Sequence, residues 1–273
     1  PSTQRWFAIA PDSTFVAFLS NEPGATELWT APIDAGQAAT TVGLTGPVST
    51  AAISPDSASL VALAGPSPNA LELYSVPLLG SGVYHLNQQR GLFGVSSFRV
   101  SADGKWVAYQ AYQDASHVGL DLYTVPIDAT DFAWRLNDTL VGDGDYRFDA
   151  DADRVLFIGS PTLGFSKHGL YSVARSGCSV PVLVHGTQPP FSHVTSYQSL
   201  RGRGQVLFVG DIIQTGGYEF YSSAYRPGLD GLNPAIGPVQ GGTLVTVAGF
   251  GLGPDTKVFF GSARAATTFI DAN

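Results

Sequence analysis

Methionine is absent from the chain, and residue 1 is proline. These residues are therefore expected to be a processed or excised piece of a longer polypeptide, and missing targeting signals say nothing about location. Cysteine occurs once, as Cys178 in "RSGCSVP", which excludes a disulfide within the chain and leaves an unpaired loop thiol as the expectation. Charge is sparse: Asp, Glu, Lys and Arg make up 13% of residues, with 14 Lys and Arg against 22 Asp and Glu, a net charge of −8. No basic run occurs, which argues against a sequence-independent grip on nucleic acid. No apolar run reaches the ~18 residues that a membrane-crossing helix needs.

Glycine (32) and proline (18) are plentiful, and hydrophobic residues are 44% of the chain. That mix fits a turn-rich β protein, since helices favour Ala, Leu, Glu and Lys over Gly and Pro. A short polar turn with an apolar strand behind it recurs: "APDSTFVAFL" (10–19), "SPDSASLVAL" (54–63), "SADGKWVAYQ" (101–110), "DADADRVLFI" (149–158) and "LRGRGQVLFV" (200–209). Asp12, Asp56, Asp103 and Asp151 are spaced 44, 47 and 48 residues apart. A second element follows each copy, "LWTA", "LYSV", "LYTV", "LYSV" and "FYSS", with Trp29, Tyr74, Tyr123, Tyr171 and Tyr221 recurring every 45 to 50 residues. A third, "ATTVGLT", "VYHLNQ", "AWRLND" or "VPVLVHG", follows the first four copies and is missing from the fifth.

Each unit is thus three or four short strands in about 47 residues. Its middle strand is apolar at consecutive positions, where a half-exposed strand would alternate, so both faces are expected to be covered. Sheets covered on both faces by sheets of the same kind are the blades of a propeller; a flat stack would satisfy the burial too, but ring closure protects the ends. The frame S-P-D-G/S…V-A-x followed by L-Y-x-V resembles the TolB-type propeller repeat, also found in the propeller lids of prolyl-oligopeptidase-like enzymes. The fifth copy departs from it, having lost the Ser and the Asp. The resemblance implies that blade material is missing upstream of residue 1. The polar turn is read as structural, with Ser and Asp binding nearby amides and Gly104 taking a positive φ. Phe18, Leu63, Tyr109, Phe157 and Phe208 are expected at equivalent buried positions.

After "FYSSAYRPG" the chain changes character. "TLVTVAG" alternates as a sandwich strand does, and "KVFFG" reads as another. The order P-x-x-G-P-x-x-G-G-T-x-V-T-V-x-G…V-x-F-G closely resembles the start of an IPT/TIG domain, an immunoglobulin-like β-sandwich. The fold class is accordingly all-β: a TolB-like propeller over 1–230, incomplete at its N-terminus, with a truncated immunoglobulin-like sandwich over 231–273. "TLVTVAG" and "KVFFG" are expected to pair with material outside 1–273. The DNA-binding branch of the IPT family needs basic loops, and this segment offers only Lys257 and Arg264.

Candidate chemistry is thin. "DGDYRFDADAD" carries Asp143, Asp145, Asp149, Asp151 and Asp153, and its D-x-D-x-D resembles the opening of a calcium loop. Arg154 then stands where such a loop needs Gly, and Ser160 where it needs Glu. An acidic turn is the expectation, with Asp149, Asp151 and Asp153 kept as calcium candidates. "SADGKW" fails the sialidase Asp-box spacing, and no G-x-S-x-G nucleophile elbow occurs. His85, His117, His168, His185 and His193 show no metal-ligand spacing. Asn137 in "NDT" is an N-x-[ST] glycosylation candidate.

The reading that follows is a non-catalytic, extracellular or cell-surface structural and interaction protein that needs no cofactor. Its partners are expected to be proteins, further copies of itself or a glycan. The alternatives are a propeller lid or accessory module of a hydrolase or carbohydrate-active enzyme whose catalytic domain lies elsewhere, and a component of a periplasmic TolB-like complex. Fold alone does not decide among them.

Overall fold

The computed structural model describes residues 6–22, 25–34, 36–67, 69–87, 94–112, 120–141, 144–161, 167–177, 179–185, 192–213, 216–225, 228–237, 241–250, 258–260 and 263–268. All of the regular structure in them is β. The first repeat forms β1 (Phe7–Ile9), β2 (Phe15–Glu22), β3 (Ala25–Pro32) and β4 (Thr40–Thr41). The second forms β5 (Val48–Ile53), β6 (Ser59–Ala64), β7 (Glu72–Pro77) and β8 (Tyr84–His85). The third forms β9 (Val95–Val100), β10 (Trp106–Ala111), β11 (Asp121–Pro126) and β12 (Trp134–Arg135). The fourth forms β13 (Tyr146–Phe148), β14 (Arg154–Gly159), β15 (Lys167–Ala174) and β16 (Val182–Leu183). The fifth forms β17 (Ser192–Leu200), β18 (Gln205–Gly210) and β19 (Glu219–Ala224). Within each repeat neighbouring strands pair antiparallel in chain order. Repeats four and five are joined by a short parallel pairing of β15 with β17, Lys167 opposite Ser192 and His168 opposite His193.

The middle strands show why consecutive apolar residues were needed. Leu60, Ala62 and Ala64 of β6 pack with Ala17, Leu19 and Leu28 of the first repeat. Val61 and Leu63, on the other face of β6, pack with Val107, Tyr109 and Tyr123 of the third. Ala108 and Leu122 then meet Val155, Phe157 and Val173 of the fourth, and Leu156, Ile158 and Leu170 meet Val206 and Phe208 of the fifth. The core is a series of layers between successive sheets, and each sheet is a propeller blade. Cross-strand aromatic stacks recur inside those layers: Tyr109 on Tyr123 at 5.3 Å, Phe157 on Tyr171 at 5.6 Å and Phe208 on Tyr221 at 5.3 Å.

The five expected equivalents need one change. Phe18, Tyr109, Phe157 and Phe208 share a register, each lying opposite the aromatic residue of the next strand. In the second blade Tyr74 lies opposite Ala62, whereas Leu63 lies opposite Leu73. Ala62 is the equivalent residue, and Leu63 is buried on the opposite face. Phe18 is only half-buried, because it sits on the outer face of the first blade.

In the tail, β20 (Gly228–Asn233) pairs with β21 (Thr246–Phe250), and β22 (Phe259–Phe260) with β23 (Ala263–Arg264). "TLVTVAG" and "KVFFG" thus each find one antiparallel partner within the chain, on one of their two edges.

Candidate functional site

The polar turns do more than close hairpins. Ser54 Oγ donates to Asp56 Oδ1 at 2.5 Å and accepts the N–H of Ser59 at 2.9 Å. Ser101 repeats this, donating to Asp103 Oδ1 at 2.5 Å and accepting from Trp106 N at 2.9 Å. The residue after each aspartate has a positive φ: Ser13 (62°), Ser57 (59°), Gly104 (73°) and Ala152 (62°). Each turn is also fastened to the next blade. Asp12 N donates to Ser57 Oγ at 3.0 Å, and both oxygens of Asp151 accept from Gly202 N at 3.0 Å. Arg175 Nη1 donates to Asp103 Oδ2 at 2.7 Å and also to the Ala152 carbonyl. A Cβ on Gly104 would overlap the Asp56 carboxyl, so glycine there serves the blade contact as well as the turn. Burial works to raise the Asp103 carboxyl, but bonds from Ser101, Arg175 and the Lys105 N–H outweigh it and hold the group below its ordinary value.

The innermost strands β5, β9, β13 and β17 wall a cavity of about 800 Å³ on the side of these turns. Register defines one ring position around it. Ala8, Ala52, Arg99, Arg147 and Gln198 lie opposite Ala17, Val61, Ala108, Leu156 and Leu207, which are equivalent middle-strand residues. Blades three, four and five therefore place long polar side chains where the first two place alanine. Ser96, Ser97, Ser199 and Thr50 add hydroxyls to the wall.

The two guanidinium groups are held firmly. Arg99 Nη2 donates to Asp145 Oδ1 at 2.9 Å, and Arg147 Nε donates to Asp145 Oδ2 at 3.0 Å, with Arg147 Nη2 bonded to the same oxygen. Arg99 lies over the Tyr146 ring at 5.6 Å, and Arg147 over the Tyr197 ring at 4.8 Å. Ser97 Oγ and Tyr146 OH are 2.9 Å apart, and Tyr197 OH donates to the Leu156 carbonyl at 2.9 Å. Burial pushes the Tyr146 phenol up to about 12 and raises Tyr197 as well, while the bond to Asp145 raises Arg147. At neutral pH both phenols are uncharged and both arginines cationic, with one carboxylate between them.

Sequence reasoning passed over Arg99 and Arg147 and met Asp145 only as part of the acidic segment. Their signal was the arginine shared by "FRV" and "YRF" at equal offsets from the turn aspartates. The residues it did single out have other work. Asp149 is buried, its Oδ1 accepting from Asp153 N at 3.0 Å and Arg154 N at 3.1 Å, its Oδ2 from Tyr225 OH at 3.0 Å. It stands where blades two and three have the turn serine, Ser54 and Ser101. Asp151 is spent on Gly202, and Asp153 is exposed at the turn. Among the described residues no group of three acidic, His or Cys side chains could hold a metal ion, so the structure does not assemble the calcium loop that the spacing allowed.

Asn137 is 0% exposed. Its Nδ2 donates to Asp121 Oδ1 at 3.0 Å and to the Leu140 carbonyl at 2.5 Å, and its Oδ1 accepts from Leu122 N at 3.1 Å. The glycosylation assignment is therefore corrected, because the amide that a glycan would occupy is inside the fold. Asn87 and His185 do the same work in blades two and four, accepting from Leu73 N at 2.6 Å and Leu170 N at 3.1 Å. His85 meets Glu72, and His168 stacks on His193 at 5.1 Å. Cys178, Asp143 and His117 lie outside the described residues.

Comparison with known proteins adds a family and a fold. Residues 227–273 match the IPT/TIG domain, and the match starts ahead of the expected 231, in keeping with β20 pairing to β21. Among solved structures, a putative TolB from Agrobacterium tumefaciens is 18% identical at a TM-score of 0.43, over 81% of this chain and 77% of that one. The β-propeller domain of the Trilobed protease from Pyrococcus furiosus is 13% identical at a TM-score of 0.48, over 80% of this chain and 67% of that one. A structure from an analysis of two prolyl endopeptidases is 16% identical at a TM-score of 0.50, over 80% of this chain but 33% of that one. At these identities the likeness is one of fold alone. The comparison with curated proteins returned no match. The blades share the β-propeller fold of the solved structure matched at a TM-score of 0.50, and residues 227–273 match the IPT/TIG domain.

Proposed function

We propose that this is a non-catalytic structural and interaction protein of an extracellular or cell-surface assembly, the periplasm being the alternative site. One observation carries the reading. Leu73, Leu122 and Leu170 are each 0% exposed between blades, yet their counterpart in the fifth blade, Phe220, is 74% exposed. Tyr146 and Tyr197 are buried between blades, yet their counterpart in the first, Phe7, is 70% exposed, and Ile9 beside it is 55% exposed. The outer faces of the first and last described blades thus carry apolar residues that a further blade-like sheet, of this chain beyond 1–273 or of another copy, would cover. Apolar surface of this kind marks a contact site, and the shape it fits is another blade-like sheet. An IPT/TIG segment beside a propeller supports the surface setting, since such domains occur in receptors and adhesins. The test is molecular mass by light scattering across a wide concentration range. Association that Phe7→Glu or Phe220→Glu abolishes, with no turnover of peptides or glycosides, is the expected result. A monomer at every concentration, or a turnover lost on one point substitution, contradicts the proposal.

A further inference from the structure

Two arginines stand in the wall of the inner cavity, in a chain with 14 Lys and Arg against 22 Asp and Glu. Arg99 and Arg147 both line it, with side chains 51% and 46% exposed, and they share the single carboxylate of Asp145. Each guanidinium keeps N–H groups beyond those it spends on Asp145. The one carboxylate among the lining residues, Asp149, is buried, and it is already engaged by two backbone N–H groups and the Tyr225 hydroxyl. The arginines are also pre-organised. Asp145 fixes one edge of each, and the Tyr146 and Tyr197 rings lie against their planes. Held forks of this kind suit a planar, two-oxygen anion, because little side-chain freedom is lost when it binds. Around them stand neutral hydrogen-bonding groups, Ser96, Ser97, Gln198, Ser199 and Thr50, which suit the amides of an uncharged stem. A volume of about 800 Å³ is in the range of sites that take a short peptide end or a small organic acid.

We propose that this cavity binds a carboxylate carried on an uncharged stem, such as the free C-terminus of an extended peptide, with Arg99 and Arg147 as its anion-holding residues. The inference rests on the interaction-module reading and names what one site of that module takes. The probes for titration calorimetry are N-acetyl tetra-alanine with a free C-terminus, the same peptide as its C-terminal amide, butyrate and inorganic phosphate. The free-acid peptide is expected to bind and its amide to bind at least about tenfold more weakly. Butyrate matching the peptide would support the carboxylate site and assign it to small acids; butyrate binding more weakly would support it and assign it to peptide ends. Arg99→Gln and Arg147→Gln should each abolish the difference between acid and amide at an unchanged melting temperature. Should either variant fold poorly, Ala52→Glu puts a carboxylate on another wall of the same cavity and should block the acid while leaving both arginines in place. Equal affinity for acid and amide, parental binding in folded Arg99→Gln and Arg147→Gln, or tighter binding of phosphate than of any carboxylate overturns the proposal. Self-association through Phe7 and Phe220 is measured separately, so a chain that assembles and ignores every carboxylate probe would sink this ligand and spare the assembly.

Discussion

Asp149 shows how one position can keep its task and change its chemistry. Serine at this place accepts one amide hydrogen and passes its own to the turn aspartate; Asp149 accepts two amide hydrogens and ties down Tyr225 as well. The cost is a buried carboxyl, which burial raises to about 6, against about 3.9 for an aspartate in an unfolded chain. Between these values the folded state holds more protons than the unfolded one, so stability falls as pH rises through that window. Asp149→Asn keeps an acceptor for the two amides and removes the titration. It should be as stable as the parent or about 1–2 kcal/mol more stable at pH 7, the difference vanishing below about pH 4. A variant whose deficit grows from pH 4 to pH 7 in chemical denaturation would contradict this. Asp103 has the opposite sign: its lowered carboxyl contributes stability that is present above the ordinary carboxylate value and lost only as pH falls through the folded one. Asn137→Ala leaves the Leu122 N–H without its acceptor and takes one donor from Asp121 in a fully buried site. The expected loss is about 1–3 kcal/mol, and mass mapping of a secreted sample should find the parent Asn137 without glycan.

The turn is the element that joins local and long-range order. Its sequence showed a hairpin with an ordering aspartate, and that much was legible, since Ser, Asp and Gly make their bonds within a few residues. The other half was not legible, because Asp151 meets Gly202 and Asp56 meets Gly104 only once two blades are stacked. The same limit hid the pairing of Arg99 with Asp145, which forms only across adjacent blades. The register of the second blade was misread for a related reason: both faces of β6 are apolar, and neither Ala62 nor Leu63 announces which way it points. Asp151→Ala should cost about 0.5–2 kcal/mol by releasing the Gly202 amide from its acceptor. The loss should be insensitive to calcium. A parent whose melting temperature rises with added calcium, while the variant's does not, would restore the metal reading.

At the scale of the whole molecule the repeat makes every blade both a donor and an acceptor of apolar surface. Periodicity alone gave that architecture, because a middle strand apolar at every position has to be sandwiched. It could not show what each end does, since Phe7 and Phe220 look in sequence like their buried counterparts. The account predicts a gradient of stability: blades two, three and four are covered on both faces, and blades one and five on one. Local opening costs more where more apolar surface must be exposed. Hydrogen exchange followed by mass spectrometry on the unassembled chain measures this directly. The account predicts that the amides of β6, β10 and β14 exchange most slowly, with β2 and β18 markedly faster, and that β2 and β18 gain protection on association. Equal protection of all five middle strands in the unassembled chain would mean that the end faces are already covered, and would contradict it.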